Sequence, residues 1–134
     1  CADGGAVSVQ CLEPKFYAIF LEKLGLSDDP EFQHQFDKSL WPKLTARLTA
    51  TFAAQPRDHW ENLFLGTDAC VAPILSPDES RDHAMNAGRG TWVEHQGLLH
   101  AAPAPRFAGQ GDWTPPPSPK RGENTAEILQ EIGL

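Results

Sequence analysis

Glu13 is the carboxylate in this sequence best placed to do chemistry. It lies in Leu12-Glu13-Pro14, where the side-chain period of the chain changes from two to about 3.6. Val7, Val9 and Cys11 alternate with Ser8 and Gln10, the pattern of a half-buried strand, and Phe16, Phe20, Leu21 and Leu24 then recur at helical spacing. Pro14 fits the first helical position, where its missing N–H removes a donor that would have no intrahelical partner. Glu13 therefore sits at a helix start, where the positive end of the helix dipole favours a carboxylate by ~0.3–1 kcal/mol. Pattern alone leaves two readings open: a helix-start residue, or a strand-end carboxylate that a proline aims at a catalytic site.

Other reactive side chains form no comparable arrangement. Cys1, Cys11 and Cys70 are odd in number, widely spaced and without a CxxC pair, which supports neither a disulfide framework nor a zinc ribbon. They are expected to be small buried or incidental residues in a reducing, cytoplasmic compartment. His34, His59, His83, His95 and His100 are scattered without ligand spacing such as HxxxH, so no metal site is expected.

The elements around Glu13 follow from local signals. Gly25 closes the first helix as its C′ residue, with Leu26 folding back onto Leu21. Ser27 to Pro30 is a loop, and Phe32 and Phe36, four residues apart, suit one short helical face over Glu31 to Lys38. Trp41, Leu44, Leu48 and Phe52 share a face of the next helix, with Pro42 in its first turn and Gln55-Pro56 as its break. A short helix follows over Arg57 to Leu65, with Trp60, Leu63 and Phe64 inward and Gly66 as its stop. The tryptophans and phenylalanines mostly sit on these faces and read as core. Asp68 to Leu75 is an apolar run of strand length that Pro73 confines to an edge or a strand end. Ser76-Pro77-Asp78-Glu79 has the form of a capping box, starting a helix that should end before Gly88 and Gly90. Thr91 to His95 and Leu98 to His100 then flank Gln96-Gly97 as a hairpin.

From Ala101 the prolines and glycines make an extended connector. Asn124, with Glu127 three residues on, caps a last helix whose face is Ile128, Leu129 and Ile132. So short a helix is expected to dock on something. The fold class is α+β: a small mixed or antiparallel sheet with helices packed on it, then a Pro-rich tail and a short helix.

The chain of 134 residues is long enough for one domain with a core. Its 18 acidic and 11 basic side chains give a net charge of -7, which argues against nucleic acid and anionic membranes as partners and against a polyphosphate cradle built from this chain alone. No apolar run approaches the ~20 residues of a membrane span. The chain starts with Cys-Ala-Asp-Gly-Gly. Asp3-Gly4 is a two-residue hairpin-turn signal that wants a strand on both sides, so the sequence is expected to be a piece of a longer protein.

Several ordered segments together carry a resemblance. They are CADG at 1 to 4, LEPKFY at 12 to 17, Gln35 and Asp37 before Trp41-Pro42, GTDACVAPIL at 66 to 75, Arg89-Gly90, APAPRF at 102 to 107 and GENTAEIL at 122 to 129. In this order they resemble the C-terminal part of the α-methylacyl-CoA racemases, within the family III CoA-transferase superfamily. The Glu-Pro at 13 and 14 and Asp-Ala-Cys-Val at 68 to 71 resemble the racemase branch more than the transferases.

The resemblance implies an isomerase that inverts the α-carbon of 2-methyl-branched acyl-CoA thioesters through an enolate, with no metal or redox cofactor. It implies that the acid/base pair is a His and an Asp of a large N-terminal domain, whose motifs this sequence does not contain, so the chain alone is expected to be inactive. By the same resemblance Glu13 hydrogen-bonds that catalytic His, Leu12 lies near the acyl chain, residues 1–105 form the small domain, and residues 106–134 return to the large one. An interlocked homodimer is implied as well. Asn124 stands where the family usually has His, Lys15 where Gln is common, and Gly5 where a larger residue is usual. APRFAGQGDW is looser than the family pattern. Asp68 and Cys70 are expected to serve the start of a strand and packing. Two other functions compete: a family III CoA-transferase moving CoA between carboxylic acids, and a non-catalytic dimerisation or binding module.

Overall fold

The structure is a computed structural model that describes residues 1–134 except Gln110 and Asp112. Its contacts group the residues into two compact units, Cys1–Leu75 and Ser76–Leu134. Small antiparallel sheets and the helices packed with them make the fold α+β.

In the first unit the chain runs β1 (Ala6–Val9), α1 (Pro14–Leu24), α2 (Trp41–Ala53), α3 (Arg57–Phe64) and β2 (Val71–Ile74). β1 and β2 pair antiparallel, with Val7 opposite Pro73 and Val9 opposite Val71, and α3 packs on both strands. Pro14 does begin α1, and Gly25 ends it at φ 69°. The Gly25 N–H reaches Glu22 O at 3.0 Å and the Leu26 N–H reaches Leu21 O at 2.8 Å. These bonds satisfy carbonyls that the helix end leaves over, and glycine takes the left-handed conformation without a Cβ penalty.

Eight side chains form the core: Cys11, Phe20, Leu21, Phe32, Leu44, Trp60, Phe64 and Ala69. Phe20 is 1% exposed and stacks on Phe64 with ring centroids 5.8 Å apart. Phe52 meets Trp60 edge-on at 5.0 Å. The Trp60 indole N–H is satisfied by Phe52 O at 3.0 Å, so the ring is buried without an orphaned donor.

Some expectations are corrected here. β1 stops at Val9, so Cys11 is buried from the connection that follows and not from the strand. Glu31 to Lys38 is a series of turns and not a helix. Phe32 is buried, whereas Phe36 is 64% exposed, so the two share no face. Local side-chain bonds take the place of helical ones: the Glu31 N–H donates to Asp29 Oδ1 at 3.0 Å and the Ser39 N–H to Asp37 Oδ1 at 2.9 Å, the Asx-turn behaviour that competes with helix. Trp41 is 46% exposed and turns its indole N–H outward to Gln35 O at 3.0 Å. The rest of its predicted face holds, with Leu44 buried and Leu48 and Phe52 packed on the core.

The second unit starts with the expected capping box. The Ser76 hydroxyl accepts from the Glu79 N–H at 3.3 Å, and Glu79 Oε2 accepts from the Ser76 N–H at 2.8 Å, opening α4 (Pro77–Asp82). A further helix follows, α5 (Ala84–Arg89), which includes Gly88 and ends at Gly90 with φ 56°. α4 thus ends before Gly88 as expected, and α5 is a separate helix that the local signals did not announce. β3 (Trp92–His95) and β4 (Leu98–Ala101) form the hairpin, with His95 opposite Leu98 and both Gln96 and Gly97 at positive φ, as a two-residue primed turn requires. Ser80 Oγ accepts from the Trp92 indole at 3.1 Å and from the Asn86 amide at 2.9 Å, tying α4, α5 and β3 together. The connector includes Gln110 and Asp112, which lie outside the described residues. α6 (Thr125–Glu131) follows Asn124, but the Asn124 side chain makes no capping bond to the backbone and instead reaches Glu127 Oε2 at 3.4 Å.

Removal of the central ring should be far more costly than removal of a cap. Phe20→Ala should destabilise the chain by ~3–5 kcal/mol and Ser76→Ala by ~1 kcal/mol. Urea denaturation followed at the tryptophans checks both.

Candidate functional site

Glu13 occupies the N-cap position of α1 at φ -75° and ψ 143°. Its carbonyl accepts from the Phe16 and Tyr17 N–H groups, both at 3.0 Å, while its side chain makes no capping bond and is exposed. The backbone thus does the work of starting the helix, and the carboxylate stays available. Leu12 beside it is 64% exposed, with its N–H turned back to Gln10 O at 2.9 Å.

Two anchors hold this corner. Pro14 restricts φ on the helical side. On the strand side Cys11 is buried in the core, where burial pushes its thiol pKa up. The Cys11 carbonyl accepts from the Gln35 amide at 2.9 Å. Gln35 is held in turn, because its own carbonyl takes the Trp41 indole N–H.

Beside the corner an open groove of about 510 Å³ runs between α1 and the turn segment, with Pro14, Tyr17, Ala18 and Leu21 on one side and Gln33 to Asp37 on the other. Burial raises the Tyr17 pKa, helped by nearby Cys11. The Ser39 hydroxyl and N–H hold Asp37 below the usual carboxylate range. The groove therefore offers a neutral phenol, an ionised carboxylate and amides on apolar walls.

The far wall is braced by charge. Arg47 on α2 donates to Asp29, and to Glu31 Oε2 at 3.2 Å, and Lys43 reaches Glu31 Oε1 at 2.5 Å. The Arg47 guanidinium also lies 4.8 Å from the centre of the Phe32 ring, a cation–π arrangement that favours Arg over Lys. The Arg47 hydrogen bond is the main reason that the Asp29 pKa is lowered.

Sequence pattern singled out Glu13 and the resemblance added Leu12, and the structure places them side by side and exposed at the corner. Gln35 and Asp37 entered only through the resemblance, and Arg47 not at all. Gln35 lies 24 residues from its partner, beyond any local signal. Asp68 lies before β2 and is exposed, and Cys70 is exposed at φ 52°. The turn at 66–70 precedes the strand, and Thr67 Oγ1 bonds Phe64 O at 2.7 Å there. Among the described residues no three His, Cys, Asp or Glu side chains gather as metal ligands, and no helix is long and apolar enough to cross a membrane.

Comparison with known proteins places this corner in context. The model of CoA-transferase family III matches residues 1–125. The α-methylacyl-CoA racemases of Mus musculus and Homo sapiens are each 37% identical over 99% of this chain. A CaiB/baiF CoA-transferase family protein of Caenorhabditis elegans is 28% identical over 82% of it. The chain spans 35% of the length of the two racemases.

The bracing pair should be visible in acid. Asp29 has a folded pKa below its ordinary value of 3.8, so its contribution is complete above that value and is lost as pH falls through the folded one. Asp29→Asn should therefore reduce the loss of stability between pH 5 and pH 2, without abolishing it, since Asp3 and Asp37 are lowered too. Urea midpoints at a series of pH values test this; an unchanged slope would remove Asp29 from the acid response.

Proposed function

The chain belongs to CoA-transferase family III, and we propose that it acts within a longer polypeptide as part of a 2-methylacyl-CoA racemase. In this reading residues 1–105 are the small domain and residues 106–134 a tail that returns to a large domain. The observation that carries it is the state of Glu13: exposed, unused as a cap, and held from both sides by Pro14 and by the Gln35–Cys11 bond. Similarity over nearly the whole chain to two proteins named as racemases supports the choice of branch.

The reaction inverts the α-carbon of the acyl-CoA. A base takes the α-proton, the electron pair moves onto the thioester oxygen as an enolate, and an acid returns a proton on the opposite face. The acid/base pair is a His and an Asp outside this chain. Glu13 is a positioning residue that accepts a hydrogen bond from the His ring. An adjacent carboxylate stabilises the imidazolium and raises the His pKa, and one pKa unit corresponds to ~1.4 kcal/mol. General acid/base groups work best with a pKa near the operating pH. A carboxylate already fixed at a helix start provides this with little reorganisation. Leu12, exposed beside it, contacts the acyl chain. The assembly is an interlocked homodimer in which the small domain of one subunit faces the large domain of the other, and it works in the cytoplasm without a bound cofactor.

The relative named as a CoA-transferase family protein supports a second reading, transfer of CoA between carboxylic acids. Incubation of the longer protein with a 2-methylacyl-CoA and a free acid acceptor separates the two: a racemase exchanges the α-proton with deuterated solvent, and a transferase moves CoA to the acceptor.

In the longer protein Glu13→Gln should slow α-proton exchange by about ten- to a hundredfold, the usual cost of removing a group that orients and tunes a reacting one. It should also move the His limb of the pH–rate profile to lower pH, and Glu13→Asp should restore part of the rate. An unchanged rate and profile would remove Glu13 from the mechanism.

A further inference from the structure

The β1–β2 ladder determines which backbone groups of β1 are left over. In an antiparallel pair, residues that exchange both N–H···O bonds alternate with residues whose groups point away from the partner. The Gln10 N–H donates to Cys70 O at 3.0 Å, and the register sets Ser8 against Ala72 and Ala6 against Ile74. Ala6, Ser8 and Gln10 are thus the bonded positions, and the N–H and C=O groups of Val7 and Val9 face outward. Among the described residues, no turn or loop backbone group partners them. On β2 the corresponding outward positions are Val71 and Pro73, and Pro73 has no N–H to offer. One edge of the sheet is blunted and the other is open.

The turn before β1 has the same parity. The Gly4 N–H donates to Cys1 O at 3.1 Å, the Cys1 nitrogen donates to Gly5 O at 2.8 Å, and Gly4 has φ 81°. This is the closure of a three-residue hairpin loop with a glycine bulge, in place of the two-residue turn expected at Asp3-Gly4. Antiparallel pairing continued from Cys1 and Gly5 places its next bonded positions at Val7 and then Val9. The turn and the ladder, on opposite sides of β1, select the same two residues.

We propose that the outer edge of β1 is a pairing edge, and that its occupant is an extended antiparallel strand of polypeptide joined to the Cys1 nitrogen. Its second and fourth residues before Cys1 bond Val7 and Val9, which makes β1 the central strand of three. Short two-stranded ribbons are marginal alone, and a third strand changes that. The turn supplies the occupant's direction and register, which a separate chain would have to find for itself. The proposal does not depend on the role given to Glu13.

Amide hydrogen exchange by NMR tests it, on the 134-residue chain and on the same chain carrying an N-terminal Thr-Val-Thr-Val-Thr-Val. The extension should slow exchange at Val7 and Val9 by at least about tenfold, leaving Ser8, already bonded to β2, little changed. Gly4→Val in the extended chain places a β-branched residue at positive φ and should return Val7 and Val9 to fast exchange while Ser8 stays protected. Failure of the extension to slow Val7 and Val9 overturns the proposal, as does protection that persists in Gly4→Val. Protection already present in the unextended chain overturns it too, and gives the edge to a second copy if it grows with concentration. If Gly4→Val loses Ser8 protection and so fails to fold, the comparison of the two parent chains still decides.

Discussion

Burial of Phe20 is the constraint on which Cys1–Leu75 is built. Its ring lies against Phe64 near the end of α3 and 6.2 Å from Tyr17 one turn back along α1, and Phe32, Leu44 and Trp60 complete the cluster. A ring of this size removes enough apolar area from water to stabilise the fold by ~1.5–3 kcal/mol. Once it is seated, the rotation of α1 about its axis is set. The helix start, and with it the direction of Glu13, is therefore a consequence of core packing as well as of Pro14.

The segment from Gly25 to Leu40 has no regular secondary structure, yet it is tied down by its charges. Asp29 and Asp37 turn their carboxylates onto their own backbone, while Asp29 and Glu31 converge on Arg47. Arg47 is half-exposed and lies over Phe32, so one side chain joins the ionic layer to the core. Exposed ion pairs contribute little singly, and networks with fixed geometry contribute more. In an acid-rich chain this concentration of carboxylates around one guanidinium gives an irregular stretch a defined position, and the wall of the groove follows from it.

Much of this fold is legible in short stretches of sequence because short-range chemistry decides it. Pro14 and Gly25, the Ser76 to Glu79 box, and Gln96-Gly97 each work within about four residues, and each behaves as its local pattern implies. Phe36, Trp41 and Asn124 do not, because several short-range bonds compete there and pattern does not say which wins: Asx turns two residues long replace the helix, the Gln35 carbonyl six residues back takes the Trp41 indole, and Glu127 three residues on takes the Asn124 amide. The ordered family segments carried further than periodicity, to the family itself. For the site, pattern located Glu13 and the resemblance Leu12, but the bond from Gln35 that holds their corner spans too much chain to be read locally.

The same reach across the chain governs the N-terminal turn. Asp3 Oδ2 accepts from the Arg57 N–H at 3.0 Å, a separation of 54 residues, so a carboxylate of the first turn satisfies an orphan donor at the start of α3. The Ala2 N–H meets Gln55 O at 2.9 Å, and Gly5 sits so close that an added Cβ would lie 2.9 Å from Arg57 Cβ. The first five residues and the α2–α3 corner are therefore one cooperative unit. Opening of the turn at residues 1–5 also strips the start of α3 of the partners of its Arg57 N–H and Gln55 carbonyl, and neither corner comes apart alone.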